Sequence, residues 1–109
     1  MITDLDNARL FARMHRARLR WLADSRQWQV RNGRAWRPAT KEQVALLAHA
    51  TADQLLANAR ALPTESGGFD MLDFHEQQVR AALRARSRAR LRNMVEVAKP
   101  LLAAPGARK

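Results

Sequence analysis

Along this 109-residue chain the hydrophobic positions keep a helical spacing in some stretches and alternate in others, and the changes of period divide it. Leu5, Ala8, Phe11 and Ala12 fall on one side of a helix that Thr3 or Asp4 can cap and that runs to about His15, with Arg9, Arg13 and Arg16 towards the other side. The period then changes. Leu19 and Trp21 alternate with Arg18 and Arg20, and Trp28 and Val30 alternate with Gln27, Gln29 and Arg31, as half-buried strands do. Asp24-Ser25 turns the first pair, and Asn32-Gly33, between Val30 and Trp36, signals a second hairpin. A three-residue loop, Arg31-Asn32-Gly33 with Gly33 in the left-handed position, sets Trp28 directly across from Trp36, whereas a two-residue loop puts them on opposite faces. The first version is the expectation: one aromatic face, with Arg31, Arg34 and Arg37 near the tip or edge of a small sheet.

Helical spacing returns at Thr40, where Thr40 and Gln43 form a capping-box pattern ahead of a stripe of Val44, Leu47, Ala48, Thr51, Leu55, Ala59 and Leu62. Pro63 ends it and opens a loop through Gly68. A third helix is predicted from Phe69 to about Arg86 with Leu72, Val79, Ala82 and Leu83 buried. At about 100° per residue, that face lies roughly 110° from the face of Leu91, Met94, Val95, Ala98, Leu101 and Leu102, so one straight helix cannot bury both. Ser87 stands at the phase break and is a good N-cap, which predicts two helices meeting there. The fold class is therefore mainly α: a four-helix, bundle-like domain with a small antiparallel hairpin or three-stranded sheet between helix 1 and helix 2. Residues 1–102 read as one domain and 103–109 as a tail or the start of a linker.

Composition sharpens this picture. Alanine and leucine dominate the apolar residues, tyrosine is absent, and the absence of cysteine removes disulfides, zinc–thiolate sites and thiol nucleophiles together. The N-terminal residues lack the pattern of a signal peptide and no run of about 18 apolar residues occurs, so a soluble, cytoplasmic protein is expected, bacterial or in a phage-infected host. Twenty basic residues against ten acidic ones give +10, which favours a polyanionic partner. Nucleotide bias alone can enrich arginine, but it does not segregate charge. From Arg9 to Lys41 ten basic residues meet one acid, Asp24; from Arg80 to Arg92 six arginines meet none. Between these blocks, Thr51 to Glu76 holds only Arg60 against Asp53, Glu65, Asp70, Asp73 and Glu76. A positive side and a weakly acidic one are expected.

The residues offer little chemistry. Gly33, Gly67, Gly68 and Gly106 fit neither phosphate-loop nor dinucleotide spacing. His15, His49 and His75 lack partners at metal-binding spacing apart from Asp73 and Glu76 beside His75, which is a weak coincidence at a helix start. Asp70 and Asp73 suit a helix N-terminus by its dipole, and Ser66 and Ser87 suit a loop and a cap. No catalytic residue, metal site or cofactor is assigned to this segment.

Binding remains. The basic residues expected to meet nucleic acid are Arg16, Arg18, Arg20, Arg31, Arg34, Arg37 and Lys41 in the first block and Arg80, Arg84, Arg86, Arg88, Arg90 and Arg92 in the second. Arginine both pairs with phosphate and stacks on bases, which suits single-stranded or template DNA better than duplex. Trp21, Trp28 and Trp36, interleaved with arginines, have the make-up of a stacking platform, but tryptophans at strand alternation more often anchor a core, and core is the reading taken for them.

The order Asn7-Ala8-Arg9-Leu10-Phe11, Leu19-Arg20-Trp21, Gln27 to Trp36 with its Trp, Asn-Gly and Trp, the helix from Lys41, and Ser87-Arg88-Ala89-Arg90-Leu91-Arg92-Asn93-Met94 resembles the helical domain preceding the superfamily-three helicase in phage and plasmid primases and poxvirus-type primase-helicases. The resemblance covers nearly the whole chain, and its Trp28–Trp36 segment is the most specific part. It implies a non-catalytic linker or collar in DNA replication that binds template DNA, has primase and helicase domains as neighbours, and takes part in assembly, so that an oligomer is compatible with it. Two alternatives stay open: an interaction or oligomerisation module without direct DNA contact, and a small stand-alone regulator from a mobile element.

Overall fold

The computed structural model describes residues 3–62 and 70–104. Helix α1 (Asp4–His15) is followed by strands β1 (Leu19–Leu22), β2 (Gln27–Asn32) and β3 (Ala35–Pro38), then by helices α2 (Lys41–Arg60), α3 (Asp70–Arg84) and α4 (Arg88–Ala98) and a 3₁₀ turn at Pro100–Leu102. The strands form one antiparallel sheet in the order β1-β2-β3.

Local chemistry sets the helix boundaries. Thr3 Oγ accepts from the Asp6 amide and Asp6 accepts from the Thr3 amide, a reciprocal box that satisfies two orphan donors at the start of α1. The bond from the Thr3 amide, and after it one from the Thr3 hydroxyl to Asp6 Oδ2 at 3.0 Å, hold the Asp6 carboxyl below its ordinary value. Thr40 and Gln43 repeat the device on α2, at 3.1 and 2.8 Å. Ser87 caps α4, its Oγ accepting from the Arg90 amide at 3.2 Å, so the expected break between two helices is there.

Helix α2 runs against both α3 and α4. Its second half faces α3 and its first half faces α4, while α1 lies beside α4 and the sheet closes the end where α2 begins. The described buried side chains accordingly form two clusters. The larger joins Phe11, Leu19, Val44, Ala48, Leu91 and Met94 with their neighbours; the smaller joins Leu56, Ala59 and Ala82, with Leu55 and Val79 against it. A single bundle core shared by four helices is not seen among the described residues. The radius of gyration, 16.1 Å, exceeds the roughly 13 Å of a compact chain this long, as a body of 56 × 25 × 21 Å requires.

Three residues expected in the core lie outside it: Leu5, Leu83 and Leu101 are 41%, 47% and 37% exposed. Asn7 and His15 are buried and turn the α1 stripe away from Leu5. Helix α3 packs mainly on α2, so its buried stripe is too narrow to include Leu83. Past Pro100 the backbone tightens to 3₁₀ geometry, which swings Leu102 inward and Leu101 out. Ala103 lies alongside Trp21, and the Ala104 amide donates to the Trp21 carbonyl at 3.0 Å, so the chain follows the edge of β1 at this point. The predicted Pro63–Gly68 loop, the Phe69 start, the side chain of Leu72 and residues 105–109 lie outside the described residues.

Candidate nucleic-acid interface

The hairpin register decides which side chains share a face. Asn32 pairs with Ala35 and Arg31 with Trp36, so the loop is the two residues Gly33 and Arg34. This corrects the three-residue loop expected from Asn32-Gly33. Gly33 does take the left-handed conformation, φ +67°, but as the first loop residue, where a type II′ turn requires it and where its twist matches that of the strands. Trp28 and Trp36 consequently lie on opposite faces rather than across from each other, and the single aromatic face is absent. The other hairpin turns through Ala23 to Arg26, with Arg26 at φ +53°.

The inner face carries Leu19, Trp21, Trp28 and Val30. Trp21 and Trp28 are cross-strand partners that meet edge to face at 5.0 Å, Trp28 meets Phe11 at 6.5 Å, and the Lys99 ammonium sits 4.2 Å over the Trp21 ring. The outer face carries Arg20, Gln29, Arg31 and Trp36. There the Arg20 guanidinium lies 4.3 Å over the Trp36 ring while its Nε donates to Gln29 Oε1 at 2.8 Å. Arg31 Nε donates to the Gly33 carbonyl at 2.9 Å. Both guanidiniums are thus anchored at Nε to neutral acceptors. Sequence reasoning missed Gln29 and Gly33 as anchors; with a two-residue loop the same alternation would have put Arg20, Gln29, Arg31 and Trp36 on one face.

Arg18 and Arg31 are neighbours as well, since the Arg31 amide donates to the Arg18 carbonyl at 2.8 Å. They flank a groove of about 300 Å³ between sheet and α2 whose floor includes Val30, Leu46 and Leu47. Arg16, Arg34, Arg37 and Lys41 are exposed around this end of the molecule. Neither these six basic residues nor Arg20 is ion-paired among the described residues.

The second basic block is arranged differently. Arg84 ends α3, Arg86 is in the turn, and Arg88, Arg90 and Arg92 belong to α4. Successive arginines two apart on a helix point about 200° apart, so Arg88 and Arg92 share one side and Arg90 takes another. Arg90 pairs with Asp4 at 3.2 Å, where Asn93 also donates at 3.3 Å, and Arg86 pairs with Asp53 at 3.5 Å. Arg80 stands apart, lining a shallow hollow with Arg60, His75 and Glu76. The two carboxylate partners come from α1 and α2, beyond the reach of sequence spacing.

Two of the three histidines tie elements together. His15 is buried edge-on against Phe11, with Nε2 3.1 Å from the Leu47 carbonyl and 2.9 Å from Thr51 Oγ. A carbonyl only accepts, so Nε2 carries the proton. Burial, aided by the charge of Arg18, holds His15 below its ordinary pKa against the opposing pull of the Leu47 bond. His75 Nδ1 lies 3.2 Å from the Leu62 carbonyl, joining α3 to the end of α2, and His49 is exposed. Among the described residues no three His, Cys, Asp or Glu side chains gather as a metal site would need, and no helix is long and apolar enough to cross a membrane.

Four helices with a three-stranded antiparallel sheet inserted after the first define a mainly helical, strongly basic module. The family model described as D5 N terminal like matches residues 8–108, and the chain belongs to this family, the domain that precedes the helicase region in phage and viral primase-helicases. The family is an N-terminal domain rather than a catalytic one. No curated protein and no solved structure matches the chain.

Proposed function

We propose that this domain is a non-catalytic accessory module of a phage- or plasmid-type primase-helicase, which holds template DNA for chemistry carried out by neighbouring primase and helicase domains in the cytoplasm. The observation that carries the reading is at the sheet end: Arg16, Arg18, Arg20, Arg31, Arg34, Arg37 and Lys41 surround one extremity of the body with no ion pair among the described residues. Phosphates would find guanidiniums there that need not first leave a carboxylate. Binding should weaken steeply with salt, by about 0.7 decade per decade for each phosphate engaged on a single strand. Fluorescence-anisotropy titrations at two salt concentrations test this. Replacing Arg18, Arg34 and Arg37 together by Ala should lower affinity about 100-fold, since charge-assisted contacts are worth about 1.5–3 kcal/mol each before solvent screening. Replacing Arg84, Arg88 and Arg92 together should lower it less than about fivefold: they also lack a carboxylate partner among the described residues, but Asp4 on Arg90 and Asp53 on Arg86 stand beside them and offset the local positive charge. Wild-type protein with no salt-dependent binding would remove the proposal.

A second reading, a collar module that docks on protein, draws on α3. Phe74 and Leu83 are 45% and 47% exposed on a helix that packs mainly on α2, and at nine residues apart they lie about 180° from each other, two separate apolar contact points rather than one face. Light scattering after size exclusion separates the readings: a protein–protein role predicts self-association that Phe74→Ser and Leu83→Ser abolish, whereas DNA binding by a monomer leaves it unneeded.

A further inference from the structure

The outer face of the three-stranded sheet is not occupied by any helix of the described structure: α1, α4 and the 3₁₀ turn pack on the side of Leu19, Trp21 and Trp28. Seven positions make this outer face, namely Arg20 and Leu22 on β1, Gln27, Gln29 and Arg31 on β2, and Trp36 and Pro38 on β3. No acidic residue is among them. Its two arginines share an arrangement that neither composition nor charge runs would suggest. Each has Nε tied to a neutral oxygen, Gln29 Oε1 for Arg20 and the Gly33 carbonyl for Arg31, and neither guanidinium has a further hydrogen-bond or ion-pair partner among the described residues. Tying Nε fixes the plane of the fork and leaves the two Nη groups facing away from the anchor. That is the pre-organised form in which arginine takes a phosphate with two parallel bonds, because little rotamer freedom remains to be lost on binding.

Spacing and shape extend the argument. Gln29 is directly across from Arg20 and two residues from Arg31 on the same strand face, so the two forks are cross-strand diagonal neighbours, about 7–8 Å apart at the backbone. Arg20 also lies on the Trp36 ring, which forms a layered cation–aromatic pair with one side of the guanidinium covered. A nucleobase has a flat π-face that stacks on such a pair whatever its sequence. In duplex DNA the bases are stacked inside and present only edges in the grooves, so the layered pair would have nothing to receive.

We infer that the outer face of the β1-β2-β3 sheet is a strip for single-stranded nucleic acid, where the Nη edges of Arg20 and Arg31 take two phosphates and an unpaired base stacks on the Arg20–Trp36 pair. The strip rests on the nucleic-acid reading above and deepens it by naming the strandedness and the contacts. With four residues in β1 and three strands, it measures roughly 13 by 10 Å, enough for two or three nucleotides.

The test uses the full chain with a fluorescein-labelled oligothymidylate 20-mer and a duplex of the same length, each titrated at two salt concentrations. The wild type should prefer the single strand by about tenfold. Arg20→Lys keeps the charge but loses the fork and the planar stack, and should lower single-strand affinity about tenfold while leaving duplex affinity and the salt slope close to wild type. Trp36→Leu should do the same, and Arg13→Ala, on the outside of α1, should not. Thermal melts of each variant confirm that the fold persists. If Trp36→Leu does not fold, arginine Nε–H resonances of isotope-labelled wild type give the second measurement: those of Arg20 and Arg31 should shift on addition of a thymidine hexanucleotide, more than those of Arg84, Arg88 and Arg92. Equal affinity for single strand and duplex, or an Arg20→Lys variant that binds the single strand like wild type, overturns the strip while salt-dependent binding keeps the accessory-domain reading intact. A wild-type chain that binds neither oligonucleotide overturns both.

Discussion

The two ends of α2 face different environments. Where the helix begins, Val44 and Ala48 enter a core with Phe11, Leu19 and Met94, and the arginines of the adjoining sheet are held by neutral oxygens and an aromatic ring. Towards its other end, Leu56 and Ala59 meet only Ala82 and a few half-buried neighbours on α3, and the arginines at the α3–α4 corner lean on Asp53 and Asp4. Both regions are basic in sequence, but among the described residues carboxylates hold none of the sheet-end cations, whereas at the corner they hold Arg86 and Arg90 and leave Arg84, Arg88 and Arg92 without one. The difference teaches that a run of arginine is not in itself a binding surface; what matters is the partner each guanidinium already has in the folded chain.

The largest effect that can sharpen this contrast is on stability. Phe11 is fully buried among α1, the sheet and α2, and Phe11→Ala should cost about 3–5 kcal/mol, enough to unfold much of a domain this small. Leu56→Ala, in the thinner cluster, should cost about 2–3 kcal/mol because the cavity can close as α3 settles onto α2. Urea denaturation measures both, and amide exchange should show the Leu56 variant opening first in α3. Equal losses, with exchange spread evenly, would mean that the two clusters behave as one core.

How much of this was legible in sequence follows from the range of the forces involved. Caps act over three residues, and Thr3, Thr40 and Ser87 could be read because each cap and its target are adjacent. The hairpin was legible as a hairpin but not in its register: Asn32-Gly33 marks a turn, while the choice between two and three loop residues depends on which face the helices cover. That one-residue difference moved Trp36 from the inner face to the outer one. The division into two clusters was hidden as well, since the stripes of α3 and α4 are equally apolar and only the direction of α2 assigns each to a different half. The Arg86–Asp53 and Arg90–Asp4 pairs join residues more than 30 positions apart, so charge patterning showed two blocks and not which of their arginines were already engaged.

A smaller effect depends on pH and belongs to the body side of the comparison. Burial keeps His15 neutral in the fold, with its pKa below the ordinary 6.5. Well above 6.5 neither state is protonated there and the group has no effect on stability. As pH falls below 6.5 the unfolded chain takes up a proton that the folded chain resists, so stability declines until the lower folded pKa is passed and then levels off. Denaturation midpoints at pH 7.5 and 5.0 should therefore differ, with the lower stability at pH 5.0. His15→Gln should flatten the difference. A wild-type midpoint that does not move between these values would show that the His15 site does not couple folding to protonation.

The smallest effect tests the charge contrast directly. Asp4→Asn and Asp53→Asn together would release Arg90 and Arg86 and make the corner resemble the sheet end. Both pairs have well-exposed members, so their loss should cost at most about 1 kcal/mol of stability, and less in high salt. The same double variant should bind single-stranded DNA slightly more tightly at low salt, by about two- to threefold, because two cations become available and the net charge rises. If affinity instead rises tenfold or more, the corner is a binding surface that its carboxylates hold in check, and the contrast between the two ends of α2 is one of regulation rather than of role.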